Sequence, residues 1–442
     1  MLYLSIDIGT SAAKASILND QLSELATAQG EYPYILLPGS KVEMDPTALF
    51  DGIVRAVQGL PQDLRSQVEC LAYDTFSPSP TFVDENGELT YPNIITHMDR
   101  RSKAQSEYVG EVIGNEEFLS ITGLQPFTGG SGLMSILWLQ ANAPQILAKT
   151  ASITHLAGYV HRRLTGVKAT DLVNASMLGV YETTTQAGWS KKLISTLNLN
   201  PDWFGEIYNP GNILGALLPT VAGSFGLKSG IPVTVGTNDM AAAQVGAGNT
   251  KAGSVMNTAG SSDMISILTD VPVTSPDYYL RNSAIPGIWQ IYATTAGGFA
   301  IDWFKDQFAK DLSAAQFYSE FIPAALAEYR QEKAVGFEPY LTGDRQSLAV
   351  KTGSWTGLTL AATRGQMLGA LLTSMQQVLG AAITQAQNLL PLDPNVKITG
   401  GLATDVIIDI KKDQWPGFTF TKVDNCSILG NVRLAQLVGG II

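Results

Sequence analysis

Apolar positions dominate residues 5–18, SIDIGTSAAKASIL, in two short strand-like runs that meet at a turn of glycine and small hydroxyl residues. The pattern returns at residues 254–268, SVMNTAGSSDMISIL, where an apolar run crosses a Gly-Ser-Ser turn into the alternating Met264, Ile265, Ser266 and Ile267. Glycine beside hydroxyls between two strand-like runs is what a hairpin turn requires. Two such openings predict two related domains. Glycine and serine concentrate at residues 223–230, GSFGLKSG, so the expected division is 1–228 and 229–442. Further strand-like runs are part of ILGALLPTVAG, IPVTVGT and NVKITGG; helix-like runs are PTALFDGIVRAVQGL, SGLMSILWLQAN, GGFAIDWFKDQFAKDL and the long TRGQMLGALLTSMQQVLGAAITQAQNLL. Pro46 follows Asp45 as an N1 proline follows an N-cap. This alternation predicts an α/β chain with mixed sheets covered by helices.

Composition agrees with two buried cores. At 442 residues the chain exceeds the roughly 250–300 at which a single core stops growing. Hydrophobic residues make up 45% and charged residues 15%, a globular rather than disordered balance. A net charge of −11 argues against nucleic acid or an anionic membrane as the main partner. Cys70 and Cys426 are too few for a disulfide framework or a zinc site, and fit a reducing cytosol. The sequence opens on a strand pattern without a basic n-region, so no signal peptide is expected. Between Arg364 and Asp393 no residue is charged, but Gln366, Gln376, Gln377, Gln385, Gln387 and Asn388 interrupt the stretch. Those amides favour a buried helix over a membrane span.

The first turn carries the chemistry of anion binding. Successive N–H groups around Gly9, Thr10 and Ser11 can form an anion-binding concavity, and Lys14 adds a point charge. Asp7 is placed to hold a hydrated Mg²⁺ that bridges phosphate oxygens. Taken alone, the segment reads equally as a hairpin with a polar turn facing water, since it is not a Walker motif. Gly260, Ser261 and Ser262 offer a second set of donors, and two facing turns could grip a nucleotide's phosphates from both sides. In VGTNDMAAAQVGAG, Asp239 follows a strand and precedes a run of small residues. It reads as a helix N-cap, as a general base for phosphoryl transfer to a hydroxyl, or as both. A third glycine pair, Gly400 and Gly401 in ITGGLATD, leaves room for a flat group such as adenosine, or simply ends a strand.

In this order the pieces resemble the FGGY carbohydrate kinases, the family of xylulokinase, glycerol kinase and gluconokinase. The likeness covers essentially the whole chain. DIGTSAAKASIL resembles the family's first phosphate motif, and DTFSPSPTFVDENGEL with ITHMDRRS the segment that shapes its sugar site. LTGVKATDLVNASMLGVYETTTQAGWS is similar to the family's D-x-x-N-A-S stretch. The spacing from Asp239 through Gly246 and Gly248 to Gly260, Ser261 and Ser262 follows the family without a gap, and TAGGFAIDWF, EPYLTGDR and ITGGLATD resemble later motifs.

The resemblance implies two ribonuclease H-like domains of the actin/hexokinase type around an active-site cleft. It implies transfer of the γ-phosphoryl of ATP, with Mg²⁺, to a small sugar, ketose, polyol or sugar acid in a cytoplasmic setting, the homodimer being common. By residue, it makes Asp239 the catalytic base and associates Asp7 and Asp239 with the metal. Thr10, Ser11, Lys14, Gly260, Ser261 and Ser262 would line the phosphates; Gly298, Gly400, Gly401 and Asp405 would contact the nucleotide. Ser77, Pro78, Asp99, Asp239 and Met240 would face the substrate, with His97 approaching it.

The sequence also departs from the family. Ser77-Pro78 stands where xylulokinases carry methionine–histidine and glycerol kinases arginine–glutamate, which puts both substrates in doubt. Met240 replaces a polar amide, Ser261 a threonine, and ATDVIIDIKKDQW lacks the usual serine and aromatic spacing, which leaves the adenine contacts open. The rival reading is a nucleotide-binding protein on a kinase scaffold without sugar kinase activity.

Overall fold

The opening hairpin forms between β1 (Leu2–Ile8) and β2 (Ala12–Asn19), paired from Leu2 opposite Asn19 to Ile8 opposite Ala13. The computed structural model describes residues 1–344 and 350–438; Arg345 of the EPYLTGDR motif lies outside them. Numbering only the strands of the two large sheets, β3 (Glu24–Glu31) pairs antiparallel with β2, and β4 (Val68–Thr75) runs parallel to β1 on its other side. Beyond β4 lie β5 (Ile213–Ala216), β6 (Pro232–Thr234) and β7 (Thr237–Asn238), with β6 and β7 both parallel to β4. The first sheet thus has the order β5-β6-β4-β1-β2-β3, with β7 on β4.

β1 is buried on both faces, which is why its sequence is apolar almost throughout. Leu4, Ile6 and Ile8 join one core with helix α1 (Pro46–Gln58), which supplies Leu49, Ile53, Ala56 and Val57 from one helical stripe. Asp45 caps α1 as predicted, accepting a 2.8 Å bond from the Thr47 N–H. Tyr3 faces the opposite way, into a core with Ile428, Val432 and Ala435.

The second hairpin is β8 (Val255–Ala259) with β9 (Asp263–Thr269), closing with Ala259 opposite Asp263. β10 (Tyr279–Asn282) and β11 (Trp289–Thr295) extend β9's side; β12 (Asn395–Thr399) and β13 (Thr419–Lys422) follow in parallel beyond β8. The order β13-β12-β8-β9-β11 repeats β6-β4-β1-β2-β3 strand for strand, parallel and antiparallel pairs included.

The first sheet runs past residue 228, because β6 and β7 pair with β4. Helices α2 (Leu172–Met177) and α3 (Asp239–Gly246) lie at its end, and α4 (Gly298–Phe308) follows β11. The uncharged stretch is helix α5 (Arg364–Gln387), with 67% of its apolar window buried inside the fold. It is a core helix, capped reciprocally by Thr363 and Gln366. Helices α6 (Asp405–Gln414) and α7 (Cys426–Val438) end the described chain, and α7 returns to pack on α3 and β1.

Candidate active site

A cavity of about 520 Å³ opens between the two sheets, lined by Thr10 of the first turn and by Gly260, Ser261 and Ser262 of the second. Ser77, Pro78, His97, Asp239 and Met240 line it as well. The two turns and the candidate base therefore share one cleft.

Asp239 is the first residue of α3, and the cap belongs to Asn238, whose side chain accepts from the Ala241 N–H at 3.3 Å. This corrects the N-cap reading of Asp239. Its Oδ1 accepts from the Met240 N–H at 2.7 Å and from Asn238 Nδ2 at 2.8 Å, which leaves Oδ2 for a ligand. Burial first, and the charge of Asp7 second, push the Asp239 carboxyl up to about 7; the Met240 N–H and the Arg281 charge oppose that rise.

Asp7 has a neighbour that the sequence did not flag. The parallel register of β1 and β4 sets Asp74 directly beside Asp7. Asp74 is fully buried; its Oδ2 accepts from Asn431 Nδ2 at 2.6 Å, and the Asp7 carboxyl lies within hydrogen-bonding reach. Burial and the charges of Asp7 and Asp239 hold the Asp74 carboxyl well above the usual range, while burial raises Asp7. In sequence, Asp74 is one polar residue in the strand-like CLAYDTF. Its alignment with Asp7 along two strands was the only available signal.

The turns are fixed by backbone bonds. Gly9 N–H donates to the Ala12 carbonyl at 3.0 Å, and Tyr32 clamps the first turn from outside through Ser11 O and Gly9 O. Thr10 faces the cavity, whereas Ser11 is exposed outside its lining. Lys14 pairs opposite Asp7, and its ammonium donates to Asn425 Oδ1 at 2.5 Å; Asn425, rather than Lys14, lines the cavity. Gly298 N–H donates to Gly260 O at 2.9 Å and Phe299 N–H to Ser261 O at 3.0 Å. Gly298 is thus committed to holding the second turn, and the neighbouring Phe299, 58% exposed, reaches the cavity.

Gly400 has a φ of +100°, and a β-carbon there would lie 2.4 Å from Ala259 O, so the β12 end demands glycine. Gly401 has open space around the same position. Asp405 sits apart, at the exposed start of α6, where Lys422 pairs with it at 2.8 Å and lowers its pKa. Asp99 also turns away from the cavity: its carboxylate bonds Arg101 and accepts from the Val42 N–H at 2.8 Å. Ser77 donates to Asn174 Oδ1 at 2.6 Å, and Asn174 Nδ2 donates to Asp171 Oδ2 at 2.6 Å. Asp171 also accepts from Thr237 Oγ1 at 2.8 Å, so the D-x-x-N-A-S stretch ties the Ser77 loop to the strand before Asp239. His97 reaches the cavity with its ring against Phe76; His155 and His161 are buried away from it, where burial pushes each imidazole down to about 4.

Comparison with known proteins follows this geometry. Residues 2–246 match the N-terminal domain of the FGGY family of carbohydrate kinases. The chain is 25% identical over 450 residues to the xylulose kinase of Escherichia coli, covering 99% of this chain and 90% of that protein. It is 24% identical over 380 residues to the gluconokinase of Bacillus licheniformis, covering 84% and 74%. The structure of xylulose kinase from Rhodospirillum rubrum superposes with a TM-score of 0.90 at 21% identity, over 100% of this chain and 90% of that one. Plasmodium falciparum glycerol kinase with ADP superposes at 0.86 and 19% identity, over 100% and 91%. These neighbours share the actin/hexokinase-like fold of this chain.

Proposed function

The chain belongs to the FGGY family of carbohydrate kinases, and from that premise we propose how its cleft divides the labour of phosphoryl transfer. As a member it is an ATP-dependent phosphotransferase with an alcohol group as acceptor. The acceptor we propose is one hydroxyl of a small sugar, ketose, polyol or sugar acid held against Ser77, Pro78, His97 and Met240.

Asp239 is the general base in this reading. Its Oδ2 takes the proton of the acceptor hydroxyl as that oxygen bonds to the γ-phosphorus and the bond from phosphorus to the ADP oxygen breaks. The observation that carries the assignment is its position: a carboxylate with one oxygen fixed by two donors and the other open to the cleft between two phosphate-sized turns. Thr10 and the Ser261–Ser262 side of the second turn supply donors to the phosphates, and Lys14 supports them through Asn425, while Ser11 lies outside the cavity lining. Gly401, with open space at its α-carbon just past the cavity-lining Thr399, leaves room for adenosine, with Phe299 as an apolar wall; Gly400 serves the packing of its turn against Ala259.

Mg²⁺ fits the oxygen donors of Asp7 and Asp74. Among the described residues no group of three histidine, cysteine or carboxylate ligands converges, whereas Mg²⁺ needs only one or two carboxylates besides phosphate oxygens and water. When bound, the ion would neutralise charge on the transferring phosphoryl. Asp7 would hold it, and Asp74, fixed by Asn431, would orient Asp7.

Asp239→Asn tests the reading. Sugar-dependent ADP release is expected to fall by at least ~100-fold in kcat while nucleotide binding persists. Unchanged turnover would remove Asp239 as the base, and ADP release indifferent to every added sugar would favour a nucleotide-binding protein without kinase activity.

A further inference from the structure

A chain of polar side chains behind the cleft carries hydrogen bonds in one direction only. It starts at Asp171, which is 2% exposed and caps α2. Its Oδ1 accepts from the Val173 and Asn174 N–H groups, both at 3.1 Å, and from Thr237 Oγ1 at 2.8 Å. A backbone N–H only donates, so this oxygen has no choice of role. Burial pushes the Asp171 carboxyl up to about 6 against the bonds from Asn174 and Thr237, so at pH 8 both its oxygens accept.

Each later link follows from the first. Asn174 is buried and faces Asp171 Oδ2 at 2.6 Å, where only its amide nitrogen can donate. Its Oδ1 is thereby turned to Ser77 Oγ at 2.6 Å, and an amide oxygen only accepts. The Ser77 proton is committed to Asn174. Ser77 is half-buried and lines the cavity. A serine hydroxyl holds one proton and two lone pairs, so what Ser77 offers the cavity is a lone pair.

The same carboxylate reaches the strand that leads to the proposed base. Thr237 lies in β7, and Asp239 follows that strand as the first residue of α3. Asp171 therefore ties the Ser77 loop and the approach to Asp239 to one point. Both Ser77 and Asp239 line the cavity, so a group bonded to Ser77 is held at a set place relative to a hydroxyl at Asp239.

We infer that Ser77 accepts a hydrogen bond from a second, non-reacting hydroxyl of the substrate, and that Asn174 and Asp171 are positioning residues that fix this polarity. This rests on the kinase reading above and deepens it. A hydroxyl satisfies the position. A keto or carboxylate oxygen there has no proton to give and meets lone pair against lone pair.

Asp171→Asn tests the inference because it reverses the chain while keeping its shape. The Val173 and Asn174 N–H groups hold the new amide oxygen at the Oδ1 position, so the new nitrogen faces Asn174. The Asn174 amide then turns over, Ser77 accepts from it, and the Ser77 proton points at the substrate. Asparagine caps a helix as well as aspartate does, which preserves α2. Coupled ADP release is measured at pH 8 with xylulose, xylitol, gluconate and glycerol, and kcat/KM is followed on the fastest of them. Asp171→Asn is expected to lower kcat/KM by about 10–100-fold, and Ser77→Ala by about 10-fold. In the Ser77→Ala background, Asp171→Asn is expected to change it by less than about threefold, because no hydroxyl remains to be turned. Asn174→Ala, which frees the Ser77 hydroxyl, is expected to cost about 3–10-fold with Ser77 present and nothing without it. Thermal melting and ADP binding establish that the variants fold; if Asp171→Asn does not, the Asn174→Ala cycle decides. Equal losses with and without Ser77 make the role merely structural and overturn the inference while leaving the kinase standing. So does wild-type kcat/KM in a folded Asp171→Asn. If no sugar raises ADP release, the kinase reading falls first and takes this inference with it.

Discussion

As the proposed general base Asp239 would have to be ionised to accept a proton, and burial together with Asp7 holds its carboxyl at about 7. Below that value most of the free enzyme carries the protonated, inactive form. The expected kcat/KM profile rises about tenfold per pH unit up to pH 7 and levels off above it, measured with one sugar at fixed ATP and Mg²⁺. A flat profile between pH 5.5 and 8 would contradict the assignment. Asp74 lends itself to a complementary variant. Asp74→Asn keeps the shape and removes one of two facing carboxylates, so binding of Mn²⁺ is expected to weaken by about 10–100-fold, followed by titration. Thermal stability should hold or rise, because a buried acid beside Asp7 and Asp239 is replaced by a neutral amide. At this scale the sequence was readable where chemistry is local: Asp7, the two turns and Asp239 sit inside short motifs. It was silent on Asp74, whose partner is 67 positions away and comes close only through parallel pairing. Asp99 shows the converse, since nothing in its local motif reveals that Arg101 and the Val42 N–H occupy its carboxylate.

Each hairpin turn depends on what lies behind its strands. Asp263, the first residue of β9, is buried with Lys411 of α6 at 2.6 Å, and Gln376 Nε2 and Asn257 Nδ2 complete its bonding. Lys411 is itself fully buried, lies 4.9 Å from the Trp415 ring centre and donates to Gln376 Oε1. This buried pair anchors the second turn to α5 and α6. Lys411→Met leaves a carboxylate without its cation, and is expected to destabilise by about 3–5 kcal/mol in urea unfolding. Adding Asp263→Asn should recover part of that loss, because no unpaired charge remains. A Lys411→Met cost below about 1 kcal/mol would mean that the pair is not what holds the turn. The elements themselves were largely legible, since the strand alternation, the Asp45-Pro46 start and the amide-rich uncharged helix have local causes. The pair between Lys411 and Asp263 was hidden within IDIKKDQW, whose two adjacent lysines look alike in sequence and differ only in the face each presents.

The whole molecule is less divisible than its two hairpins suggest. Residues 223–230 are the last turn of helix Pro219–Phe225 and the surface turn that follows it, but β6 and β7 beyond complete the first sheet, and α3 leads from that sheet into the cleft. Helix α7, at the end of the described chain, then closes the face of β1. Ser5 Oγ donates to Ile428 O at 2.9 Å, Asn431 reaches Asp74, and Tyr3 packs among Ile428, Val432 and Ala435. A β-carbon on Gly430 would lie 1.8 Å from Ala242 O, and one on Gly246 would lie 1.7 Å from Cys426 O. Two helices that approach through glycine leave no room for adjustment between backbones. A fragment of residues 1–228 lacks β6, β7, α3 and α7, and so exposes the core around Tyr3 and half the pairing of β4. It is expected to show no cooperative thermal transition. In the full chain, Gly430→Ala should lower the thermal midpoint by several degrees, since the helices must part by more than an ångström one turn from Asp239. It should lower sugar-dependent turnover as well, because α3 presents Asp239 from its first position. A cooperative fragment, or a Gly430→Ala variant with wild-type stability and turnover, would show that the first sheet does not depend on α7.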